Sequence, residues 1–265
     1  MPTGSVTPSH SAAHHLEQVA AEVAVLAAVL VRGSVGRAAA AGTKSSPTDV
    51  VTETDVESER LIRRELLDRC PGSAIAGEEL DDQDGANTVS WVVDPIDGTV
   101  NFLYDLPVVS VSIAACIDGI TVAGAVADIV RGDVFSASQG AGARRNGVAV
   151  SARPTTSLEQ SLVGTGFSYS AQRRQEQSSI LNRLLPAARD IRCMGSAALN
   201  LCWVACGRLD AYYEHDTKLY DYAAGALIAT EAGARVELPA DTQLDLSIAA
   251  AAGVFDRLRS IVVSG

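Results

Sequence analysis

Apolar positions return every three or four residues from Ser11 to Arg32, a helical spacing that Gly33 and Gly36 end. Inside it, the run Val19 to Val31 contains Glu22 and is too short to span a bilayer, so a core-facing helix is expected. Residues 1–12 are polar and expected to be flexible. The Gly/Ala-rich connector Gly36 to Gly42 and the irregular polar stretch Lys44 to Asp49 predict a mobile loop over 36–50. Thr54 followed by Glu57 is a capping-box signal, and Leu61, Ile62, Leu66 and Leu67 then predict a helix from Val56 to Cys70. Asp55 falls in its first turn, where compensation of the helix dipole explains a carboxylate without any ligand.

Pro71-Gly72 stops that pattern. Ala74-Ile75-Ala76 reads as a strand running into Gly77-Glu78-Glu79, and Trp91-Val92-Val93 as a strand delivering the turn Asp94-Pro95-Ile96-Asp97-Gly98-Thr99. Val108 to Ile117 and Ile120 to Val130 are apolar and β-branched, joined at Asp118-Gly119, the best hairpin signal in the chain. With Val134 to Ala137 they predict a large antiparallel sheet. The second half alternates. Strands are expected at Ser161–Gly166, Ile191–Cys193, Ala211–Glu214, Arg235–Leu238 and Ser247–Ala251. Helices are expected at Gln172–Leu185, Ala197–Cys206, Asp221–Ala232 and after Gly253. The class is α/β or α+β with a layered core, expected as one domain over residues 1–265.

Composition narrows the partners. Net charge is −11, with 32 acidic against 21 basic residues, and no run of Lys or Arg is longer than a pair. Nucleic acid and anionic membranes are therefore poor partners. Such a chain also repels a phosphorylated substrate at long range, so local cations have to reverse the field at any site that binds one. Five cysteines, an odd number without C-x-x-C spacing, suit buried thiols in a reducing cytoplasm better than a disulfide or zinc framework.

The segment from Trp91 to Phe102 carries the chemistry. Asp94 and Asp97 lie three apart across a Pro-containing turn and reach one small region, and carboxylate plus carbonyl oxygens suit a hard cation such as Mg²⁺. Gly98 lets backbone approach a ligand, and free N–H groups at Thr99, where a helix would begin, favour phosphate. Asp, Pro and Gly are also ordinary turn residues, so alone the segment reads either as a metal site or as a strand-ending loop.

Separated segments settle the reading by resemblance. They are Lys44-Ser45-Ser46-Pro47-x-Asp49 with Val51-Thr52-x-Thr54-Asp55, Gly77-Glu78-Glu79, and Asp94-Pro95-Ile96-Asp97-Gly98-Thr99-x-Asn101-Phe102. To these add Gly195-Ser196-Ala197-Ala198, Asp210-Ala211-Tyr212-Tyr213-Glu214, and Asp221 with Ala223-Ala224-Gly225 and Glu231-Ala232-Gly233. In this order the chain resembles the inositol monophosphatase family, most of all its actinobacterial SuhB-type branch. The resemblance implies a five-layer αβαβα sandwich, usually dimeric, that hydrolyses small phosphate monoesters with two or three Mg²⁺ ions and is inhibited by Li⁺. By position, Glu78, Asp94 and the Ile96 carbonyl would hold one metal; Asp94, Asp97 and Asp221 would hold a second, and Glu78 a third through water. Glu78 and Thr99 would orient the attacking water, with Asp55 supporting Thr99. Gly98 and Thr99 N–H groups would bind phosphate, while Asp97, Ala197 and Glu214 would face inositol hydroxyls.

The chemistry agrees. Phosphate monoester hydrolysis needs acceleration of up to ~10²¹-fold, and a dianionic ester repels hydroxide. Metal ions lower the pKa of water and neutralise the in-line oxygens. Without a cation the four carboxylates form a self-repelling cluster. Two positions depart from the family pattern: Tyr220 stands where Trp is usual, and Lys218, a further substrate-side candidate, where His is frequent. Inositol-1-phosphate is the leading substrate. Fructose-1,6-bisphosphate, histidinol phosphate and a 3′-phosphonucleotide keep the same chemistry, and a regulatory protein retaining the fold is the non-enzymatic alternative.

Overall fold

The computed structural model describes residues 9–36, 40–44, 50–242 and 244–264. The chain starts with helix α1 (His10–Arg32), capped by Ser9, whose hydroxyl accepts from the Ala12 N–H at 3.2 Å. Strands β1 (Ala40–Thr43) and β2 (Val50–Thr52) pair antiparallel, so positions 40–43 and 50 of the expected loop are strand. Residues 37–39 and 45–49 of that expectation, and 1–8 of the N-terminal one, lie outside the described residues. Helix α2 (Glu53–Arg69) begins earlier than its sequence signal. The capping box is Thr52 with Asp55, not Thr54 with Glu57, because Thr52 is the last extended residue and Asp55 sits three beyond it.

Next come β3 (Ala74–Gly77), β4 (Val89–Asp97), the one-turn helix α3 (Thr99–Leu103), β5 (Ser110–Ile117) and β6 (Ile120–Asp128). Then β7 (Val134–Ser138), β8 (Ala143–Arg145) and β9 (Val148–Val150) complete a seven-stranded sheet in sequential order. The three strands expected to form an antiparallel sheet, β5, β6 and β7, do so, and of the other pairs only β3 with β4 is parallel. The Asp118-Gly119 turn forms as expected, with φ of 52° and 78° suiting the twist of a two-residue hairpin.

The rest is β10 (Leu162–Thr165), α4 (Ala171–Leu184), β11 (Asp190–Cys193), α5 (Ala197–Ala205), β12 (Ala211–His215), α6 (Leu219–Glu231), β13 (Arg235–Glu237), β14 (Leu246–Ala250) and α7 (Phe255–Val263). These strands form a five-stranded sheet, β11-β10-β12-β14-β13, whose first three members run parallel.

Three cores separate five layers. On one face of the large sheet, Val23, Ala27 and Val31 of α1 and Ile62 and Leu66 of α2 cover Trp91, Val93, Val111 and Ile113. α1 is long and apolar enough to cross a membrane by length and composition alone, but half of that window is buried against this sheet. Between the sheets, α5 and α6 fill the space from Val92, Ala114 and Val126 to Tyr212 and Ala249. On the outer face of the small sheet, Ile180 and Leu184 of α4 and Leu258 of α7 cover Val163, Tyr213 and Ile248. This is the expected αβαβα sandwich: each sheet is apolar on both faces and buries each under helices. Burial of Trp91 alone, whose indole N–H also donates to Ser73 Oγ at 3.1 Å, contributes about 3 kcal/mol.

A candidate carboxylate-lined active site between the sheets

β4 does not end at Asp94 as a turn would; it continues to Asp97 through a bulge. Asp94 pairs with Ser112 and Asp97 with Ser110, so three steps on β4 face two on β5. In a regular strand residues three apart point to opposite faces. The extra residue reverses the phase: Ile96 rejoins the core face of Trp91 and Val93, and Asp94 and Asp97 share the other face. Pro95, which has no N–H to donate, is tolerated at this irregularity, and its carbonyl accepts from Ser58 Oγ at 3.2 Å.

Gly98 follows at φ 99°, where an added Cβ would lie 2.9 Å from the Val108 carbonyl oxygen. Only glycine turns the chain here into α3, whose first N–H groups have no partner within the helix. Asn101 clamps this corner to the second half of the chain, its Nδ2 donating to the Val108 and Met194 carbonyls at 2.8 and 2.7 Å.

A cavity of about 760 Å³ opens between the two sheets. Glu78, Asp94, Ile96, Asp97, Gly98, Thr99, Ala197, Glu214, Lys218 and Asp221 all line it. Of the expected site residues only Asp55 stays behind the wall. Fully buried at position three of α2, it holds that helix's N-terminus with one oxygen, accepting from the Thr52 N–H at 2.9 Å. Its other oxygen lies 3.1 Å from the Thr99 hydroxyl, which is also 3.0 Å from the Ile96 carbonyl.

The carboxylates differ in how they are held. Asp97 faces the N-terminus of α5: Oδ2 accepts from Ala198 N at 2.9 Å, Ser110 Oγ at 3.1 Å and Ser196 Oγ, while Oδ1 accepts, among the described residues, from Ala197 N alone at 3.1 Å. Oδ1 therefore keeps a lone pair for a cation. Ala197 contributes its N–H to Asp97 rather than to the cavity. Asp221, three residues into α6's first turn, accepts from the Lys218 N–H at 2.5 Å, and Asp94 accepts from Ile96 N at 3.1 Å. Glu214 projects from the C-terminal end of β12, with the Tyr212 hydroxyl donating to it at 2.9 Å. Gly166 makes room for it, since a Cβ there would lie 2.0 Å from Glu214 Oε1.

Burial is the first cause raising the pKa values of these carboxyl groups, and mutual repulsion adds to it. Asp94 is pushed well above the usual carboxylate range by burial and then by Glu78, Asp97 and Asp221. Asp221 is pushed the same way by burial, which outweighs its bond to Lys218. Glu78 is raised by burial against the pull of Lys44, and Glu214 rises to about 7 through burial. Lys44 is the cation this field has found: its ammonium lies 2.6 Å from Glu78 and 2.6 Å from Glu79, so neither glutamate is simply solvated.

Among the described residues no three His, Cys, Asp or Glu side chains close around a single point as a ready metal cage. The donor set nevertheless fits a hard divalent ion, being carboxylate and carbonyl oxygen throughout, buried, and short of positive charge.

Glu59 had no place in the sequence reading. It is fully buried on α2, paired with Arg63 at 2.7 Å, and accepts from the backbone N–H groups of Glu79 and Leu80 at 2.7 and 3.3 Å. It fixes the segment carrying Glu78. Gly77 is glycine for this reason, as a Cβ would lie 2.1 Å from Glu59 Oε1. The available signal was its position: three before Ile62 and seven before Leu66, on the apolar face of α2.

A five-layer sandwich with buried carboxylates and a positioned hydroxyl around one inter-sheet cavity defines a metal-dependent phosphatase of small phosphate esters, generally a Mg²⁺ enzyme. The chain belongs to the inositol monophosphatase family, whose sequence profile matches residues 12–257. It is 50% identical over 228 residues to the inositol-1-monophosphatase of Mycobacterium leprae, covering 81% of this chain and 78% of that one. It is 46% identical over 265 residues to the inositol-1-monophosphatase SuhB of Mycobacterium tuberculosis, covering 92% and 91%. The solved structure of Mycobacterium tuberculosis SuhB superposes with a TM-score of 0.81 at 45% identity, over 94% of this chain and 96% of that one. The Nus factor SuhB of Pasteurella multocida is 39% identical over 210 residues, covering 78% and 79%.

Proposed function

We propose that this phosphatase hydrolyses myo-inositol-1-phosphate, with Mg²⁺ held by Glu78, Asp94, Asp97, Asp221 and the Ile96 carbonyl. The observation that carries the reading is the convergence of these groups with the Asp55-supported Thr99 on one cavity. Bound there, two or three Mg²⁺ ions would supply an acidified water and neutralise charge on the phosphoryl oxygens, with Li⁺ as an inhibitor.

The chain's own residues do the rest. Asp55 accepts the Thr99 proton, so the lone pairs of Thr99 Oγ1 face the cavity and hold a water for attack, with Glu78 as its second acceptor. The N–H groups at Gly98 and Thr99 receive the phosphate oxygens. Glu214 accepts from polyol hydroxyls, a task suited to a buried carboxylate and a substrate rich in donors. Lys218, exposed at the rim, offers charge to a second anionic group, which favours fructose-1,6-bisphosphate as the second reading.

A homodimer is part of the proposal, supported by the resemblance alone. Five unbridged cysteines support a reducing cytoplasmic location, and net charge −11 weighs against a nucleic-acid or anionic-membrane partner. Comparison of kcat/KM for inositol-1-phosphate, fructose-1,6-bisphosphate and histidinol phosphate tests the substrate. A preference for either of the last two overturns it.

A further inference from the structure

A second cavity, about 320 Å³, lies at the other end of the strands that carry Glu214. Leu162 opens β10, Arg189 precedes β11 and Asp210 precedes β12; these residues at the N-terminal ends line the second cavity, whereas Gly166, Cys193 and Glu214 at the C-terminal ends line the first. Three arginines from separate segments converge there: Arg153 from the link after β9, Arg189 from the turn before β11 and Arg208 from the turn after α5.

Their hydrogen bonds are not used up. Arg189 is exposed and makes no side-chain hydrogen bond or ion pair with any described residue. Among the described residues Arg153 spends only Nε, on the Gly207 carbonyl at 2.5 Å. Arg208 donates Nη2 to Asp133 at 2.9 Å, while its Nη1 is buried with no hydrogen-bond partner among the described residues. Asp133 is itself shared with Arg145 at 3.3 Å.

Asp210, the one carboxylate in the lining among the described residues, does not neutralise the group. It accepts from Thr155 Oγ1 at 2.6 Å and from Leu162 N at 2.8 Å, holding the loop rather than an arginine. Solvated surface arginines are common. A concave site with converging guanidiniums and a buried unpaired donor, in a chain of net charge −11, is not. Guanidinium forks match the oxygen pairs of phosphate and carboxylate, and the volume suits a small ligand.

We propose that this cavity is a second, non-catalytic binding site for a small oxyanion, a phosphoryl or carboxylate group, held by Arg153, Arg189 and Arg208. The test is titration calorimetry of the full chain, stripped of divalent cations on a chelating resin, with inorganic phosphate in one arm and malonate in the other. At least one of the two binds once per chain. Arg189→Gln and Arg208→Gln each weaken it about tenfold or more, the effect of removing charged hydrogen bonds. Asp94→Asn, in the catalytic cavity, leaves the affinity unchanged. Arg189 is exposed and unpaired, so its variant folds normally, which a matching melting curve verifies. The proposal is overturned if neither anion binds at about 10 mM, if Arg189→Gln binds as the parent does, or if Asp94→Asn removes the binding.

Discussion

The Thr99 hydroxyl lies 3.1 Å from a carboxylate oxygen of Asp55, joining α2 to the head of α3 across 44 residues of sequence. One buried carboxylate thus holds a helix N-terminus with one oxygen and lies within hydrogen-bond distance of a cavity-lining hydroxyl with the other. Thr99→Ala should lower kcat about a hundredfold or more, as loss of a positioned proton-transfer group does, while Thr99→Ser keeps most of it. Asp55→Asn should in addition lower stability by about 1–3 kcal/mol, because an amide cannot accept at both oxygens. Steady-state kinetics with thermal melts separate the two, and equal kcat for Thr99→Ala and the parent would remove Thr99 from the mechanism.

Gly77→Ala tests the support beneath Glu78. The new methyl would meet Glu59 at 2.1 Å and force it off the Glu79 N–H. We expect about 2 kcal/mol lost stability and a raised Mg²⁺ requirement, read from melts and from rate against Mg²⁺ concentration. An unchanged Mg²⁺ half-saturation would show that Glu59 does not position Glu78.

Glu214 makes the metal-free protein sensitive to pH. Its folded pKa, about 7, exceeds its ordinary value of 4.5, so the native state holds the proton more tightly than the unfolded chain. The resulting stabilisation is complete below about pH 4.5 and lost as pH rises through 7, a span of about 3 kcal/mol. Glu214→Gln removes this dependence. Without divalent cations the variant should gain stability over the parent from pH 5 to pH 8, and parallel stability curves would contradict the assignment.

Much of this was legible because local chemistry and packing agreed. The helical spacing of α1 and α2, the Asp118-Gly119 hairpin and the small-residue helices α5 and α6 fall within a few residues of their sequence signals. Ordered motifs pointed to one site, and all but Asp55 line one cavity. The bulge was not legible, since Asp-Pro-x-Asp is turn chemistry and only pairing with Ser110 and Ser112 makes it a strand. The role of Lys44 depends on Glu78 and Glu79, 34 and 35 residues away. Glu59 was hidden because a Glu four residues before an Arg reads as a surface pair until burial is known.

Lys44 bonded to both glutamates implies competition between its ammonium and any divalent ion at Glu78. Lys44→Met should tighten apparent Mg²⁺ binding and, in metal-free protein, lower stability by leaving two partly buried carboxylates unpaired. Mg²⁺ titration followed by intrinsic fluorescence and a melt without metal check both halves. Weaker Mg²⁺ binding in the variant would show that Lys44 assists the metal instead.

The most direct measurement is phosphate release from myo-inositol-1-phosphate across a Mg²⁺ titration, with the parent and Asp94→Asn side by side. Turnover is expected in the parent only when Mg²⁺ is present. Asp94→Asn should lose about a thousandfold, the rate equivalent of about 4 kcal/mol, in a protein that melts no lower than the parent without metal. Turnover without divalent cations, or an Asp94→Asn variant as fast as the parent, would contradict the metal assignment.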